Sequence, residues 1–336
     1  MTFKRIFQSF ILPLLALLAF LNFYKDISVH KLVEGLAKSN LYWIGLAMIM
    51  HLLNHFLRAY RWKQLLRLRG FNVYILHSVL AEMTGFFSNL FVPRLGEWTR
   101  CSALKHMSSV PIKESLPTVL VERTIDIFLF LIGFITLFIA SFLLQGEIDQ
   151  TLFLQFFQKI ANSSLFTISN LVLFLLVFML VGVGVFYLHK LFRTQFQYFF
   201  ELCTNLLYSA KNTLLNIKFA TWLITFLIWT TYFLVEYISC FALEATSKLG
   251  IFPIFFIFIV INLGMAMPVP GNVGAYHILM QAALSLFKVP HEAAVIYVTI
   301  THGIQVFNAL VVGGLCTIAS RYSAKKSKSG DVPIQK

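Results

Sequence analysis

Long apolar stretches alternate along the chain with short polar ones. The apolar segments fall near 6–23, 41–57, 76–92, 117–144, 165–189, 219–245, 252–267, 274–287 and 292–320. Within each, apolar residues run on continuously instead of alternating, which argues for helices and against the strands of a membrane barrel. Several runs approach or exceed the ~20 residues a helix needs to cross a bilayer core. The expected fold class is an all-α polytopic integral membrane protein. Two segments break unusually. The 76–92 segment ends at Pro93 and gives way to Arg94-Leu-Gly-Glu97-Trp-Thr-Arg100, and the 252–267 segment ends in Pro268-Val-Pro270-Gly271-Asn272-Val-Gly274 before turning apolar again.

The placement of Lys and Arg discriminates between topologies. If every segment spans and the N-terminus is inside, three basic regions lie outside, against the positive-inside rule. These are the loop with Arg94, Arg100, Lys105 and Lys113, the loop with Lys190, Arg193, Lys211 and Lys218, and the C-terminal tail. If 76–106 and 252–287 are instead re-entrant hairpins, the first entering from the cytoplasm and the second from outside, all of these return to the cytoplasm. So does the basic loop Arg58–Arg69. About six full spans plus two re-entrant hairpins is therefore preferred over the alternative of eight or nine full spans. Both termini are then cytoplasmic. No small-x-small cleavage site follows the N-terminal apolar run, which reads as a retained helix. Residues 1–320 are expected to form one transmembrane domain, and 321–336 a disordered basic cytoplasmic tail resting on anionic headgroups. Asn89, Pro93 and Gly96 echo Asn262, Pro268 and Gly271, a weak sign of an inverted repeat.

Composition agrees. Of 336 residues, 58% are hydrophobic, 12% charged and 36 are Phe, against about 25% charged in ordinary soluble domains. The net charge of +13 sits in loops, so it points to a membrane surface and not to nucleic acid. The four cysteines are scattered, without zinc or disulfide spacing. No nucleotide-binding loop or complete metal-ligand set is visible, so neither a metal nor a cofactor is expected, and no catalytic residue is assigned.

Charges within apolar segments are the informative residues, because each is costly there. Glu122-Arg123-x-x-Asp126 places Glu122 and Asp126 one helical turn apart. Arg94, Glu97 and Arg100 recur every three residues and share a face if helical. Two readings are open for this set. In one, Arg94, Arg100 and Arg123 clamp the phosphate of an anionic headgroup, for which the planar guanidinium is suited, while the carboxylates orient them or carry protons. In the other, the charges are an ion-pair lock holding the hairpin. Pro270, Gly271, Asn272 and Gly274 form a turn whose following N–H groups are candidates for facing an anion, or an ordinary loop. His277 is a candidate lining of a central cavity, or a packed histidine. Interfacial roles are expected for His51, His55 and Glu244, and membrane-interface anchoring for Arg58, Arg61 and Trp62. Glu236 stands near mid-span as a buried partner or a protonated carboxyl.

Asn89-x-x-x-Pro93-Arg94-x-Gly96-Glu97-x-x-Arg100, then Glu122-Arg123-x-x-Asp126, then Pro270-Gly271-Asn272-Val-Gly274, with Arg58-x-x-Arg61-Trp62 upstream, resemble the flippase-like transmembrane domain of lysylphosphatidylglycerol synthases and its stand-alone relatives. The resemblance covers nearly the whole chain. It implies a bacterial or archaeal inner-membrane protein that moves or handles a phospholipid or another lipid-linked substrate. Its partner is then a membrane lipid with an anionic headgroup. Relatives fused to a synthetase flip the aminoacylated lipid. No such domain follows Arg321, so this chain is not expected to aminoacylate lipid by itself. It departs from the family pattern in the second loop, where Asn272 replaces a Gly and Tyr276-His277 stands where an acidic residue is usual. Beside lipid translocation stand two rivals: a transferase using Glu97, Glu122 or Asp126 as base, and a non-transporting partner of envelope-synthesis enzymes.

Overall fold

A computed structural model of the chain describes residues 20, 21, 23–25, 27–143, 193–265 and 269–328. The expected spans 6–23 and 165–189 and the loop 145–164 lie almost wholly outside the described residues, as does Pro268. All regular structure among the described residues is helical. In chain order these are α1 (Val29–Ala37), α2 (Leu41–Leu68), α3 (Ile75–Asn89), α4 (Leu95–Ser108), α5 (Ile112–Leu143), α6 (Arg193–Leu215), α7 (Phe219–Cys240), α8 (Glu244–Ser247), α9 (Ile251–Met265), α10 (Ala275–Leu286), α11 (His291–Asn308) and α12 (Gly314–Lys328). A π turn, Ala309–Gly313, joins α11 to α12. The chain divides into two compact units, Met1–Leu131 with Asn212–Lys336, and Ile132–Lys211. The site lies wholly in the first.

Three helices among the described residues are long and apolar enough to cross a membrane: Ile112–Ala140, Phe219–Cys240 and His291–Lys325, the last running through the π turn. The 28-residue α2 is as long, but its sequence is more polar. Its polar residues face inward. His51, Asn54, His55, Arg61 and Trp62 are buried, whereas Ile49, Leu53 and Phe56 are exposed. The same inversion marks α7, where Thr221, Thr225, Thr231, Glu236 and Ser239 are buried and Leu223, Phe226 and Leu227 face outward. Such helices expose their apolar side to lipid and satisfy their polar side against each other. Asn54 does this directly, donating from Nδ2 to the Ile228 carbonyl and to Thr231 Oγ1, both at 2.8 Å.

Three sequence expectations change. Arg58–Arg69 is not a loop: the first eleven of its residues complete α2, which ends at Leu68. No breaker intervenes before Gly70, whose positive φ of 85° turns the chain away. The 117–144 segment starts five residues early, at Ile112, so Pro117 sits within α5 and only three residues, 109–111, link it to α4. The tail is helical through Lys328. Lysines there are good helix formers and stand at the end of the helix dipole that favours cations.

The first broken segment is a helical hairpin, α3 and α4, turning at Leu90–Arg94 with Arg94 in the left-handed region (φ 64°). Asn89 holds the turn by accepting the Gly96 N–H on Oδ1 at 2.7 Å. Gly85 and Gly96 let the arms touch, since a Cβ on Gly85 would lie 2.7 Å from the Gly96 carbonyl oxygen. The second is α9 and α10 around a tight turn at Pro270–Asn272. Gly271 reaches the first hairpin, its Cβ position standing 3.7 Å from the Leu90 carbonyl oxygen, so the two tips meet. The echo between Asn89 and Asn262 does not extend to their roles, because Asn262 donates back into its own helix, to the Phe258 carbonyl. Gly85→Val is expected to force the arms apart at a cost of about 1–3 kcal/mol, seen as a lower thermal midpoint in detergent. Gly45→Ala, with open space around it, is expected to lower nothing.

Candidate functional site

The charges singled out in the sequence converge, and they recruit one that was not, Glu82. Glu82 on α3 accepts from Arg58 of α2 at 2.9 Å and from Arg100 of α4 at 2.5 Å. Arg100 places its other terminal nitrogen on Glu122 of α5. The second oxygen of Glu122 lies 3.6 Å from Arg61 Nε, and Arg61 grips Asp126 with two bonds of 2.6 and 3.0 Å. Asp126 lies 3.9 Å from Arg123, which approaches Glu97 at 3.5 Å, and Glu97 approaches Arg94 at 3.9 Å. The result is one unbroken series of alternating sign: Arg58, Glu82, Arg100, Glu122, Arg61, Asp126, Arg123, Glu97, Arg94. It staples α2, α3, α4 and α5 together.

Local sequence explains each position. Arg58 and Arg61 lie three residues apart on the inward face of α2, as Arg94, Glu97 and Arg100 do at the start of α4, and Glu122 and Asp126 on α5. Arg100 is almost wholly enclosed. Its guanidinium lies 4.7 Å above the Trp62 ring, a cation–π contact strengthened by the absence of water. Trp62 is fixed in turn by donating Nε1–H to Thr118 Oγ1 at 2.9 Å. A buried charge is tolerated only when paired and hydrogen-bonded, and the alternating series satisfies this for each interior member.

The series has a direction. At one end Glu82, Arg100 and Arg61 are almost wholly inaccessible, while at the other the side chains of Arg123 and Arg94 are 38% and 56% exposed. Five arginines face four carboxylates, so the set carries one net positive charge, and its accessible end is cationic. Between the ends is a polar cavity of about 40 Å3, bordered by His55, Arg58, Glu82, Asn89, Glu97 and Arg123. That is room for about two or three waters, too little for a lipid headgroup without the hairpin moving.

The structure therefore joins Asn89, Arg94, Glu97, Arg100, Glu122, Arg123 and Asp126 in one site. Arg100, expected as a phosphate clamp, has both terminal nitrogens on carboxylates. Arg58 and Arg61, expected as interface anchors, are members of the series. His51 and His55, expected at the interface, are buried. Glu82 was missed, although a lone carboxylate within the apolar 76–92 segment was its signal. The second loop does not join the cavity. The Asn272 and Val273 N–H groups are taken within the turn by the Val269 and Pro270 carbonyls, and Gly274 adopts φ 85° to lead into α10. Gly271 is held by His302, whose Nε2 donates to its carbonyl at 2.9 Å. His277 does not border this cavity. It is packed among Phe20, Phe23, Tyr24, Tyr276 and His302.

Lipid-facing helices with polar interiors, clasped by buried charges, define a polytopic helical membrane protein. The chain matches the model of the lysylphosphatidylglycerol synthase TM region over residues 6–313 and belongs to that family. It is also similar to a UPF0104 membrane protein of Methanocaldococcus jannaschii, 28% identical over 141 residues, a stretch covering 41% of each chain. No solved structure matches it.

Removing Arg100 leaves Glu82 and Glu122 buried without their shared cation. Arg100→Met is expected to destabilise by about 3–5 kcal/mol, read as a large drop in thermal midpoint in detergent. Adding Glu122→Gln is expected to restore part of that loss.

Proposed function

We propose that this protein translocates a phospholipid or a lipid-linked anionic substrate across the membrane. The observation that carries the reading is the cationic, accessible end of the charge series, Arg94 and Arg123, of which Arg123 borders a polar cavity inside a membrane helix bundle. A phosphate meets two guanidinium groups there, each able to bond two of its oxygens, while Arg100, Arg61 and Arg58 hold the frame. The tails remain in lipid as the headgroup passes between the hairpins. Family membership supports a lipid-handling role. The four carboxylates of the series all lie opposite arginines, which leaves none placed as a general base and disfavours a transferase.

The topology that goes with this reading is about six full spans and two re-entrant hairpins in a bacterial inner membrane, with both termini cytoplasmic. Helix lengths support it. At 1.5 Å per residue, the 15 residues of α3 and of α9 extend about 22 Å, short of the ~30 Å hydrocarbon core. Their partners α4 and α10 are shorter still, at 14 and 12 residues. Broken helices of this kind, buried within protein, are how transporters place polar backbone at membrane depth.

Two experiments test this. In proteoliposomes carrying labelled anionic lipids, the wild type is expected to scramble one lipid class and a folded Arg123→Ala protein to lose that activity; full activity in the variant defeats the assignment. Separately, Lys113→Cys, exposed just after the first hairpin, is expected to react with impermeant thiol reagent only from the cytoplasmic side. Labelling from outside would replace the hairpin by two spans.

A further inference from the structure

Glu236 differs from every carboxylate of the charge series. It is buried in α7, and among the described residues no Lys, Arg or His forms an ion pair with it. Its neighbours are neutral. Tyr276 of α10 donates its hydroxyl to Oε1 at 3.5 Å, and Tyr297 of α11 reaches Oε2 at 3.5 Å while donating to the Glu236 backbone carbonyl at 3.0 Å. The Tyr297 hydroxyl also lies 3.3 Å from Cys240 Sγ. Two long bonds from neutral hydroxyls do not compensate a carboxylate withdrawn from water.

Glu236 borders a second cavity, of about 20 Å3, opposite His51 of α2, with Tyr232, Asn262 and Gln305 also on its walls. That is room for about one water. One turn along α2, the His55 ring stands 5.0 Å from the His51 ring and borders the first cavity. His55 Nδ1 is buried without a hydrogen-bond partner and lies 3.9 Å from Glu82 Oε1. The two histidines thus connect the cavity of Glu236 to that of the charge series. Asn308 sets the state of His51. Its Nδ2 donates both to the Met48 carbonyl at 3.2 Å and to His51 Nδ1 at 3.1 Å, so His51 is neutral and carries its proton on Nε2.

We propose that Glu236 is a proton-binding site within the membrane and that it exchanges its proton with the charge series through His51 and His55. Each transfer moves one proton and no electrons. The Glu236 O–H passes its proton by way of cavity water to His51, leaving a carboxylate and forming an imidazolium. His51 returns to neutral by passing a proton on to His55, which releases it into the first cavity beside Glu82 and Arg58. Protonation of His51 at Nδ1 requires the Asn308 amide to turn away, so the pathway is closed in the arrangement seen and opens with that rotation. The groups facing Glu236 are Tyr276, Tyr297, Cys240, Tyr232 and His51; those facing the His51–His55 pair are Arg58 and Glu82. The inference does not depend on the translocated substrate being a lipid.

Infrared spectroscopy of the purified full-length protein tests it without any transport assay. Expected at neutral pH is a protonated-carboxyl C=O band that is lost in Glu236→Gln and disappears as pH is raised. In His51→Phe/His55→Phe the band is expected to persist while its downshift on transfer to D2O slows by about a hundredfold or more, the scale on which a positioned acid–base group acts. The proposal is overturned if no band removable by Glu236→Gln exists at any pH at which the protein is folded. It is overturned equally if that band vanishes on adding sodium at constant pH, which would make Glu236 a cation ligand. Unchanged exchange in the histidine variant overturns the pathway. Should that variant not fold, the wild type and Glu236→Gln still decide whether the site exists.

Discussion

Arg100 between Glu82 and Glu122 is the constraint on which the rest of this structure depends. None of the three is stable alone in a membrane interior, where an unpaired charge has neither water nor counterion. Each becomes tolerable only when hairpin, α2 and α5 are docked together. Docking is therefore close to all-or-none: the α3–α4 hairpin cannot leave its place without exposing buried carboxylates to lipid. This explains why the hairpin is held in place, and why its turn can afford a left-handed Arg94.

The alternating series also reconciles the two readings of the charges. A lock and a binding site are usually alternatives, yet one network here has a buried end and an accessible end. The enclosed members fix geometry, and the accessible members present a surplus of positive charge on a preorganised frame. At the accessible end Arg94 and Arg123 approach Glu97 and Asp126 at 3.5 to 3.9 Å. Such pairs are weak where water reaches them.

Glu236 occupies the opposite electrostatic situation within the same unit. Around it the bundle supplies hydroxyls, a thiol and amides in place of arginines. The contrast between a saturated cluster and an uncompensated carboxyl, joined by two histidines one helical turn apart, gives the interior two sites of different chemistry. His277 of α10 stands packed among aromatic rings, and Glu236 meets the same helix through Tyr276.

The sequence alone determined the membrane class and the two breaks in the helices. Continuous apolar runs and a basic loop pattern follow from the bilayer, which acts on every residue independently of its partners. It also placed Arg94, Glu97, Arg100, Glu122, Arg123 and Asp126 on common faces, because helical spacing is a local property. Pairing is not local. Which carboxylate meets Arg100 depends on Glu82, 18 residues away, and on a hairpin closing at Gly85 and Gly96. Whether Arg58, Arg61, His51 and His55 face lipid headgroups or the interior depends on α2 continuing past its apolar run and turning its polar side inward. Those decisions belong to the tertiary structure, because the free energy of a buried charge is set by what the fold brings against it.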